Sequence, residues 1–436
     1  MLCSETGSGA VLERRKGARK ALFQMTIVAI SRRRHSGARR PIRAGGILAA
    51  SLCVLSRTPA LPTEPTATQR MTRVEAPQAP YRQGLDALPL TEVLQKLHVP
   101  GASIAVISDF KIDWVKSYGV ADVDSGQPVQ VDTLFQAASL SKPLVAASAM
   151  VLVQSGRLSL DEDINQQLKS WHVPRNDRTG PQPVTLRALL SHTSGAEDTG
   201  EFVSFPPGAP LPGVVQILDG DPLANRPPLL SFSRPPFRSY SYSNGGFLIV
   251  QALLVDLLRE PFEDIVRTTV LTPLGMSHST YQQPLSDEAA LRAARGHDAK
   301  GKRMEVPWFV WPQLAAAGLW TTPSDLARFV IEVQRAVRGP SGILLHQMTA
   351  RQMIAPTGVG PFGLGLAVSQ RGEGWYFRHN GAVPGYRAEL VAHYLKGYGL
   401  VVMSNGDNGE ALFHEIEDRV AAAYGWDTLD KPMPRD

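Results

Sequence analysis

The sequence predicts an α+β fold, in which an antiparallel β-sheet flanked by helices is joined to a mainly helical lobe. Two observations lead to this prediction. Runs of residues typical of strands lie near both ends of the body of the chain, and apolar runs typical of helices lie between them. Strands from the two ends would then meet in one sheet, and the helices would form a second layer. We expect a binding site in the cleft between the sheet and the helical lobe.

The first elements of the body are a helix and a hairpin. Leu85 to Leu97 has the pattern of an amphipathic helix that is ended by Pro100-Gly101. Two alternating apolar runs follow, Ala102 to Ser108 and Ile112 to Asp122. These runs predict a β-hairpin whose polar turn is Ser108-Asp109-Phe110-Lys111.

A central buried helix is predicted from Ser139 to Gly156. Pro143 suits the first turn, where its missing N–H has no partner to lose, and Gly156 is a natural C-terminal stop. Apolar residues cover nearly all sides of this helix, which indicates burial. A second apolar helix, GGFLIVQALLVDLL, comes later in the chain. The Pro- and Gly-rich stretch 200–238 before it is either a surface loop or a wall of the substrate cleft.

The last part of the body returns to strands and closes with a helix. Glu410 to Tyr424 is the closing helix, which leaves 426–436 as a C-terminal tail and 85–425 as one domain. The strands predicted here are Phe362 to Val368, Trp375 to His379, Glu389 to Tyr394 and Gly399 to Ser404.

Charge and cysteine are concentrated at the N-terminus. Residues 1–60 carry twelve Lys and Arg against two Asp and Glu, and the rest of the chain carries 33 against 38. The body is therefore mildly acidic, and nothing indicates nucleic-acid binding. Both cysteines, Cys3 and Cys53, also lie in this stretch, so the body has no disulfide and no thiol nucleophile. We expect no metal and no other cofactor.

Residues 1–60 are predicted to be a targeting leader. An Arg-rich stretch precedes the apolar run Ala44 to Leu55, which is long enough for a signal peptide and too short to span a bilayer. We expect a periplasmic or secreted protein, or a membrane-tethered one if the leader stays uncleaved. The alternative is a disordered basic tail on a cytoplasmic protein. Residues 61–84, rich in Pro and Thr, are predicted to be a linker.

Ser139 and Lys142 form a Ser-x-x-Lys pair at the start of the central helix. Positions three apart share one helix face, so the lysine amine can reach the serine hydroxyl. Burial disfavours the charged form of a lysine, and Lys142 could then act as a base toward Ser139. The pattern alone is weak, because it recurs at Ser108 to Lys111, where a hairpin turn explains it.

Two further motifs carry chemistry. Tyr242-Ser243-Asn244 is the only Tyr-x-Asn in the chain; a tyrosine can relay a proton and an asparagine can hold a substrate amide. Its alternative explanation is a helix N-cap at Ser243 or Asn244, with Tyr242 packed beside it. His379-Asn380-Gly381 ends an aromatic strand. A histidine there can donate a hydrogen bond to a substrate, and glycine lets a ligand approach closely; an ordinary surface histidine is the alternative.

The order of the three motifs, Ser-x-x-Lys, Tyr-x-Asn and His-x-Gly, resembles that of the penicillin-recognising serine hydrolases. That family includes class C β-lactamases, D-amino-acid-specific peptidases and β-lactamase-like esterases. The resemblance runs from Leu85 to Tyr424 and implies a β-lactamase/transpeptidase-like fold. Further segments that fit are HVPGASIAVI, LLSHTSG, PLGM, AAGLWTTPSDLARF, GLGLAV and HNGAVPGY.

This resemblance also implies a role for each motif residue. Ser139 would be the nucleophile that forms an acyl-enzyme, and Lys142 would take its proton, alone or with Tyr242. Tyr242 would then protonate the leaving group. The backbone N–H groups of Ser139 and Ala382 would form the oxyanion hole. The substrate-binding residues implied are Asn244, His379 and Gly381.

The third motif departs from the class C pattern, which has Lys-Thr-Gly where this chain has His379-Asn380-Gly381. A lysine holds a permanent cation against a substrate carboxylate, whereas a histidine is mostly neutral at pH 7. We therefore expect a serine hydrolase acting on ester or amide bonds of small substrates, of the esterase or D-amino-acid peptidase type. The alternatives are a β-lactamase or D-Ala-D-Ala carboxypeptidase, and a non-catalytic sensor of cell-wall fragments or β-lactams. The oligomeric state stays open.

Overall fold

The computed structural model describes residues 64–78, 84–199, 202–220, 228–340, 342–372 and 374–427. The predicted leader, 1–60, lies outside the described residues. So does 428–436, most of the predicted C-terminal tail.

Eleven strands are present in this part of the chain, and most of the long ones lie near its two ends. They are β1 (Gly101–Ser108), β2 (Lys111–Asp122), β3 (Gln127–Pro128), β4 (Phe135–Gln136), β5 (Ala196–Asp198), β6 (Leu230–Phe232), β7 (Trp320–Thr321), β8 (Ala367–Arg371), β9 (Gly374–Val383), β10 (Tyr386–His393) and β11 (Gly399–Ser404).

Most of the helices among the described residues lie between β3 and β8. The α-helices are α1 (Ala67–Glu75), α2 (Leu90–Lys96), α3 (Ser141–Gln154), α4 (Leu186–Leu190), α5 (Val214–Asp219), α6 (Asn244–Leu258), α7 (Phe262–Val266), α8 (Asp287–Ala290), α9 (Leu314–Ala317), α10 (Pro323–Arg338), α11 (Gln347–Met353) and α12 (Gly409–Tyr424). Short 3-10 turns span Leu85–Ala87, Ala138–Leu140 and Ile164–Gln166, and a π turn spans Arg267–Leu271.

Seven strands form one antiparallel sheet, in the order β3-β2-β1-β11-β10-β9-β8. The first and last long strands are neighbours at its centre, where Ile104 of β1 is opposite Val402 of β11. The prediction of one antiparallel sheet built from the two ends of the body is confirmed.

Both faces of the sheet are buried, which explains the apolar composition of its central strands. Successive side chains of a strand point to opposite faces. Ile104 and Val106 of β1 accordingly pack in a cluster with α1, α2 and α12. Ala105 and Ile107 belong to the larger cluster on the other face, which includes α3, α6 and α10. The chain therefore has helices on both sides of the sheet, with the helical lobe on the side of α3.

The second Ser-x-x-Lys copy is a hairpin turn, as the sequence predicts. β1 ends at Ser108, β2 begins at Lys111, and the two strands pair in antiparallel register. Asp109 and Phe110 have φ angles of 51° and 58°, as the two central residues of a tight hairpin turn require. Ser108 therefore has a structural role.

Two segments outside the predicted domain, 85–425, pack against it. The segment predicted as a linker, 61–84, contains α1, which begins with a capping box at Thr66 and buries Val74. Arg419 of α12 donates to the backbone oxygens of Val74 and Ala76, so α1 is held against the body. The segment predicted as a tail begins with Trp426, which is 2% exposed. Its neighbour Asp427 accepts hydrogen bonds from Lys396 and Tyr398, in the turn between β10 and β11.

Three elements begin later than predicted. The predicted helix Leu85 to Leu97 is a 3-10 turn followed by α2, because Pro89 disfavours helical geometry at the residue before it. The predicted strand Phe362 to Val368 is wrong before Ala367, where β8 begins. Gly365 has φ 81° there, and a Cβ at this position would lie 2.5 Å from Cβ of Ala146, so the segment crosses α3 instead of pairing. The central helix begins at Ser141, after a 3-10 turn.

Candidate active site

Ser139 lies in the 3-10 turn that leads into α3. The residue before it, Ala138, has φ 50°, a left-handed conformation that is unfavourable for alanine and is kept only where the surroundings enforce it. Ser141 provides such a constraint, because its Oγ donates to Ala138 O at 2.6 Å and accepts from the N–H of Leu319 at 3.0 Å. The turn therefore holds Ser139 in one position at the start of the helix.

Lys142 is fully buried one helical turn after Ser139. Its Nζ donates to Ser139 Oγ, Asn244 Oδ1 and Ala316 O, each at 2.9 Å. The ammonium form can donate to all three oxygens, whereas in the neutral form Nζ can instead accept from the Ser139 hydroxyl. The amine of Lys142 thus contacts Ser139, the Tyr-x-Asn motif and α9.

The environment of Lys142 favours its neutral form. Burial lowers its pKa to about 7, and the negative charge of Asp198 acts in the opposite direction. An uncharged amine has a free electron pair. At neutral pH a substantial fraction of the molecules can therefore accept a proton at Lys142 Nζ, 2.9 Å from the serine hydroxyl.

Tyr242 lines the same cleft as Ser139. Burial raises the pKa of its phenol, and a hydrogen bond with Ser139 acts in the opposite direction. Lys142 Nζ is 5.0 Å from the centre of the Tyr242 ring. The pKa of Lys142 is lowered toward 7, which makes it the stronger candidate for the base. The pKa of Tyr242 is raised, so its phenol keeps its proton and is the candidate for a proton donor.

The Tyr-x-Asn motif begins a helix cap, as its alternative explanation predicts. Ser243 is the N-cap of α6, and its Oγ accepts from the N–H of Gly246 at 2.9 Å. Its neighbours Tyr242 and Asn244 line the cleft beside Ser139. The cap fixes the direction of the two flanking side chains.

Gly381 allows β9 to pass close to the 3-10 turn that contains Ser139. A Cβ at this position would lie 2.2 Å from the backbone oxygen of Ala137, far inside van der Waals contact. Gly381 therefore acts through backbone packing and is not among the described residues that line the cleft. Ala382, the next residue, does line it together with Ser139.

His379 occupies a different position from the one its motif predicts. It is 2% exposed, so it is no surface histidine, and it is absent from the described lining of the cleft. Its Nδ1 is 2.7 Å from the backbone oxygen of Asn380, which can only accept. Burial, and next the charge of Lys142, lower its pKa to about 3, so the ring is neutral and Nε2 carries no proton to donate.

The aromatic surroundings of His379 explain this position. Its ring centre is 6.3 Å from that of Tyr242 and 5.6 Å from that of Phe362. Its Nε2 is buried and has no hydrogen-bond partner within the described part of the chain. His379 thus packs against the rings of Tyr242 and Phe362 and is not among the described residues that line the cleft.

The cleft at Ser139 has a volume of about 370 Å³. None of its described lining residues carries a charged side chain. They are Ser139, Phe202, Tyr242, Asn244, Ala317, Asn380, Ala382 and Val383. Four of these have no role predicted from the sequence, namely Phe202, Ala317, Asn380 and Val383. Each lies within a segment already named above, so its proximity to a motif was the one indication in the sequence that it could line the cleft.

Two further polar residues near the motifs were not predicted. His192, which follows α4, stacks on Tyr242 with ring centres 4.2 Å apart. Its Nδ1 accepts from the N–H of Ser243 at 3.1 Å. Asp198, at the end of β5, accepts hydrogen bonds from the start of α6. The segment LLSHTSG, which precedes Asp198, was the only signal for either residue.

The described residues hold neither a metal-binding cluster nor a membrane-spanning helix. No cluster of three or more His, Cys, Asp or Glu side chains with metal-binding geometry occurs among them. None of the helices described is both long enough and apolar enough to cross a membrane.

Comparison with known proteins identifies the family of this chain. The sequence profile of the Beta-lactamase family matches residues 83–425. The chain belongs to the Beta-lactamase family. Members of this fold family are serine hydrolases.

Individual relatives are distant. Protein flp of Staphylococcus aureus is 23% identical over 317 residues, 72% of this chain and 61% of the relative. Unguisins hydrolase ungD of Aspergillus violaceofuscus is 26% identical over 376 residues, 75% of this chain and 63% of the relative. The chain thus spans less than two thirds of the length of either protein.

A solved structure gives the same fold. The D-amino acid amidase of Ochrobactrum anthropi SV3 in complex with D-phenylalanine superposes with a TM-score of 0.63 and 22% identity. The match covers 82% of this chain and 99% of the amidase. The predicted β-lactamase/transpeptidase-like fold is confirmed.

Proposed function

We propose that this protein is a serine hydrolase that cleaves ester or amide bonds of small, uncharged substrates through an acyl-enzyme on Ser139. The observation that carries the proposal is the buried Lys142 amine, 2.9 Å from both Ser139 Oγ and Asn244 Oδ1, with a pKa lowered to about 7. A serine hydroxyl is a weak nucleophile until a neighbouring base removes its proton. The position of Lys142 Nζ and its lowered pKa support this role.

The reaction follows from these positions. Ser139 Oγ attacks the substrate carbonyl carbon while its proton passes to Lys142 Nζ. The carbon–leaving group bond then breaks, and the leaving group takes a proton from the Tyr242 phenol, which Lys142 reprotonates. Water later attacks the Ser139 ester, releases the acid and restores the hydroxyl. The backbone N–H groups of Ser139 and Ala382, both at the cleft, would stabilise the oxyanion.

The lining of the cleft supports an uncharged substrate. Phe202, Ala317 and Val383 provide apolar surface, and Asn244 and Asn380 provide neutral polar groups. A carboxylate or ammonium group transferred from water into such a site loses hydration without gaining an opposite charge. His379, which is neutral and lies behind Tyr242, does not supply the cation that a β-lactam carboxylate would need.

Two names among the similar proteins agree with this class of reaction. The Aspergillus relative is named a hydrolase of unguisins, and the Ochrobactrum protein is an amidase solved with D-phenylalanine. Amide substrates therefore belong in the test beside esters.

A labelling experiment tests the catalytic class. A fluorophosphonate should form a stoichiometric adduct on Ser139, located by mass spectrometry, and Ser139→Ala should neither label nor turn over substrate. Ser108→Ala is the matched control, because Ser108 belongs to the Ser-x-x-Lys of the hairpin turn, and it should label normally. An adduct on another serine, or no adduct at all as for a non-catalytic sensor, would refute the proposal.

A substrate panel tests the specificity. We expect higher kcat/KM on short-chain p-nitrophenyl esters, or on D-amino-acid amides whose amino group is acylated and therefore uncharged, than on a chromogenic cephalosporin. Protein that hydrolyses the cephalosporin faster than every ester and amide is a β-lactamase, and the argument from the uncharged cleft is then wrong.

A further inference from the structure

The carboxylate of Asp198 lies against the first turn of α6. Its Oδ1 accepts from Ser243 Oγ at 2.7 Å and from the N–H of Gly245 at 3.2 Å, and its Oδ2 accepts from the N–H of Asn244 at 2.8 Å. Free N–H groups at a helix N-terminus favour a negative charge, and hydrogen bonds to a carboxylate are stronger than neutral ones. Asp198 therefore fixes the backbone and side chains on which the Tyr-x-Asn motif depends.

Ser243 makes this arrangement rigid. Its hydroxyl donates to Asp198 and at the same time accepts from the N–H of Gly246, while its own N–H donates to His192. Both the N–H and the hydroxyl of Ser243 are thus hydrogen-bonded. Tyr242 and Asn244, on either side of it, are left facing Ser139 and Lys142.

We propose that Asp198 is a positioning residue of the acyl-transfer site, which holds Tyr242 and Asn244 in place and supplies the negative charge that acts on Lys142. This inference rests on the function proposed above. It adds a residue outside the three sequence motifs, and it assigns that residue both a geometric and an electrostatic task.

The electrostatic task is clear from the groups that face Lys142. They are Tyr242 before α6, His192 after α4, His379 on β9 and Asp198 on β5. Burial raises the pKa of Tyr242 and lowers those of both histidines, so these three groups are neutral near pH 7. Asp198 opposes the effect of burial on Lys142 by favouring its charged form. Without Asp198 the pKa of Lys142 would be lower.

The pH profile of kcat/KM separates this role from a purely structural one. Lys142 must be neutral to act as the base, so activity falls on the acid side of its pKa. Asp198→Asn removes the charge and, because an amide can accept at only one of its two atoms, also disturbs the three bonds. We expect a loss of about ten- to a hundredfold in kcat/KM and a displacement of the acid limb to lower pH.

Two variants complete the design. Asp198→Glu keeps the charge but displaces it, so activity should fall while the acid limb stays nearer to that of the wild type. Asp256→Asn is the matched control, since Asp256 Oδ2 also accepts from two backbone N–H groups and a hydroxyl, at Lys169 and Ser170, away from the cleft. It should change thermal stability without altering the pH profile. If Asp198→Asn does not fold, Asp198→Ser removes the same charge with a smaller side chain.

The outcomes distinguish the two proposals. An acid limb that stays in place in every folded variant lacking the Asp198 charge overturns the role of Asp198, because a structural carboxylate would change only stability. Residual turnover by Ser139→Ala in the same assays would instead overturn the serine hydrolase mechanism.

Discussion

Replacing Lys142 by arginine tests whether this residue is the base. The lysine pKa of about 7 leaves roughly half of the molecules with a neutral amine at pH 7. A guanidinium has a pKa above about 12, so its neutral fraction at the same pH falls to about one in 10⁵. The planar, larger group also cannot fit the point where Lys142 Nζ meets three acceptors, each 2.9 Å away.

The expected loss follows from what a positioned base contributes. General base catalysis is worth about 10² to 10⁴ in rate, or roughly 3–5 kcal/mol of activation free energy. We expect kcat/KM of Lys142→Arg on a p-nitrophenyl ester to fall by at least that factor. The rate of phosphonylation of Ser139, measured by stopped flow or by mass spectrometry, should fall in parallel, since it requires the same activated hydroxyl.

Lys111→Arg is the matched control for this variant. Lys111 is the lysine of the second Ser-x-x-Lys, is largely exposed in the hairpin turn, and pairs with Asp109. It should retain wild-type kinetics. If Lys142→Arg is folded and keeps activity near that of the wild type, Lys142 is not the base and the mechanism above is wrong.

Four other predictions concern the cleft and its surroundings. The kcat/KM of the wild type should rise with pH through about 7, because Lys142 loses its proton there; a flat profile between pH 5.5 and 8.5 would contradict this. His379→Lys should lower the melting temperature, because a cation would be buried beside Lys142, and should leave the ratio of cephalosporin to ester turnover unchanged, because position 379 is outside the described lining of the cleft; a raised ratio would contradict this. Phe202→Ala should raise KM for aromatic esters by about tenfold with little change in kcat, since Phe202 lines the cleft and stacks on Trp311; an unchanged KM would remove Phe202 from the substrate site. Gly381→Ala should cost about 1–3 kcal/mol of stability and reduce phosphonylation of Ser139, because its Cβ would meet the backbone of Ala137; denaturant unfolding and labelling rates measure both.

Local patterns in the sequence were sufficient to predict much of the fold. Alternating apolar residues predicted the hairpin of β1 and β2, and the position of strands at both ends predicted the central antiparallel sheet. Both predictions depend on the spacing of apolar residues along individual strands, which the sequence shows directly. The helix α1 was missed because a short segment rich in Pro and Thr becomes helical here through its capping box and its packing on α12.

In the active site, too, local patterns predict some contacts, and others depend on distant parts of the chain. Helix spacing predicts that Lys142 reaches Ser139, and the order of the motifs suggests Tyr242 and Asn244 as partners. The catalytic roles of these residues, and the export of the protein, stay predictions. Nothing local, however, could place the carbonyl of Ala316 at Lys142, or Asp198 at the start of α6, because each contact joins elements far apart in the chain.

His379 illustrates what only the tertiary structure decides. Its motif predicts a residue that faces the substrate, yet the rings of Tyr242 and Phe362 lie against it and its Nδ1–H donates to the backbone oxygen of Asn380. Depth of burial is set by the neighbours that other parts of the chain supply, and burial in turn sets whether an imidazole is charged. The sequence determines which chemical groups this protein has and their order along the chain; packing decides which of them are neutral, which are charged, and which reach the cleft.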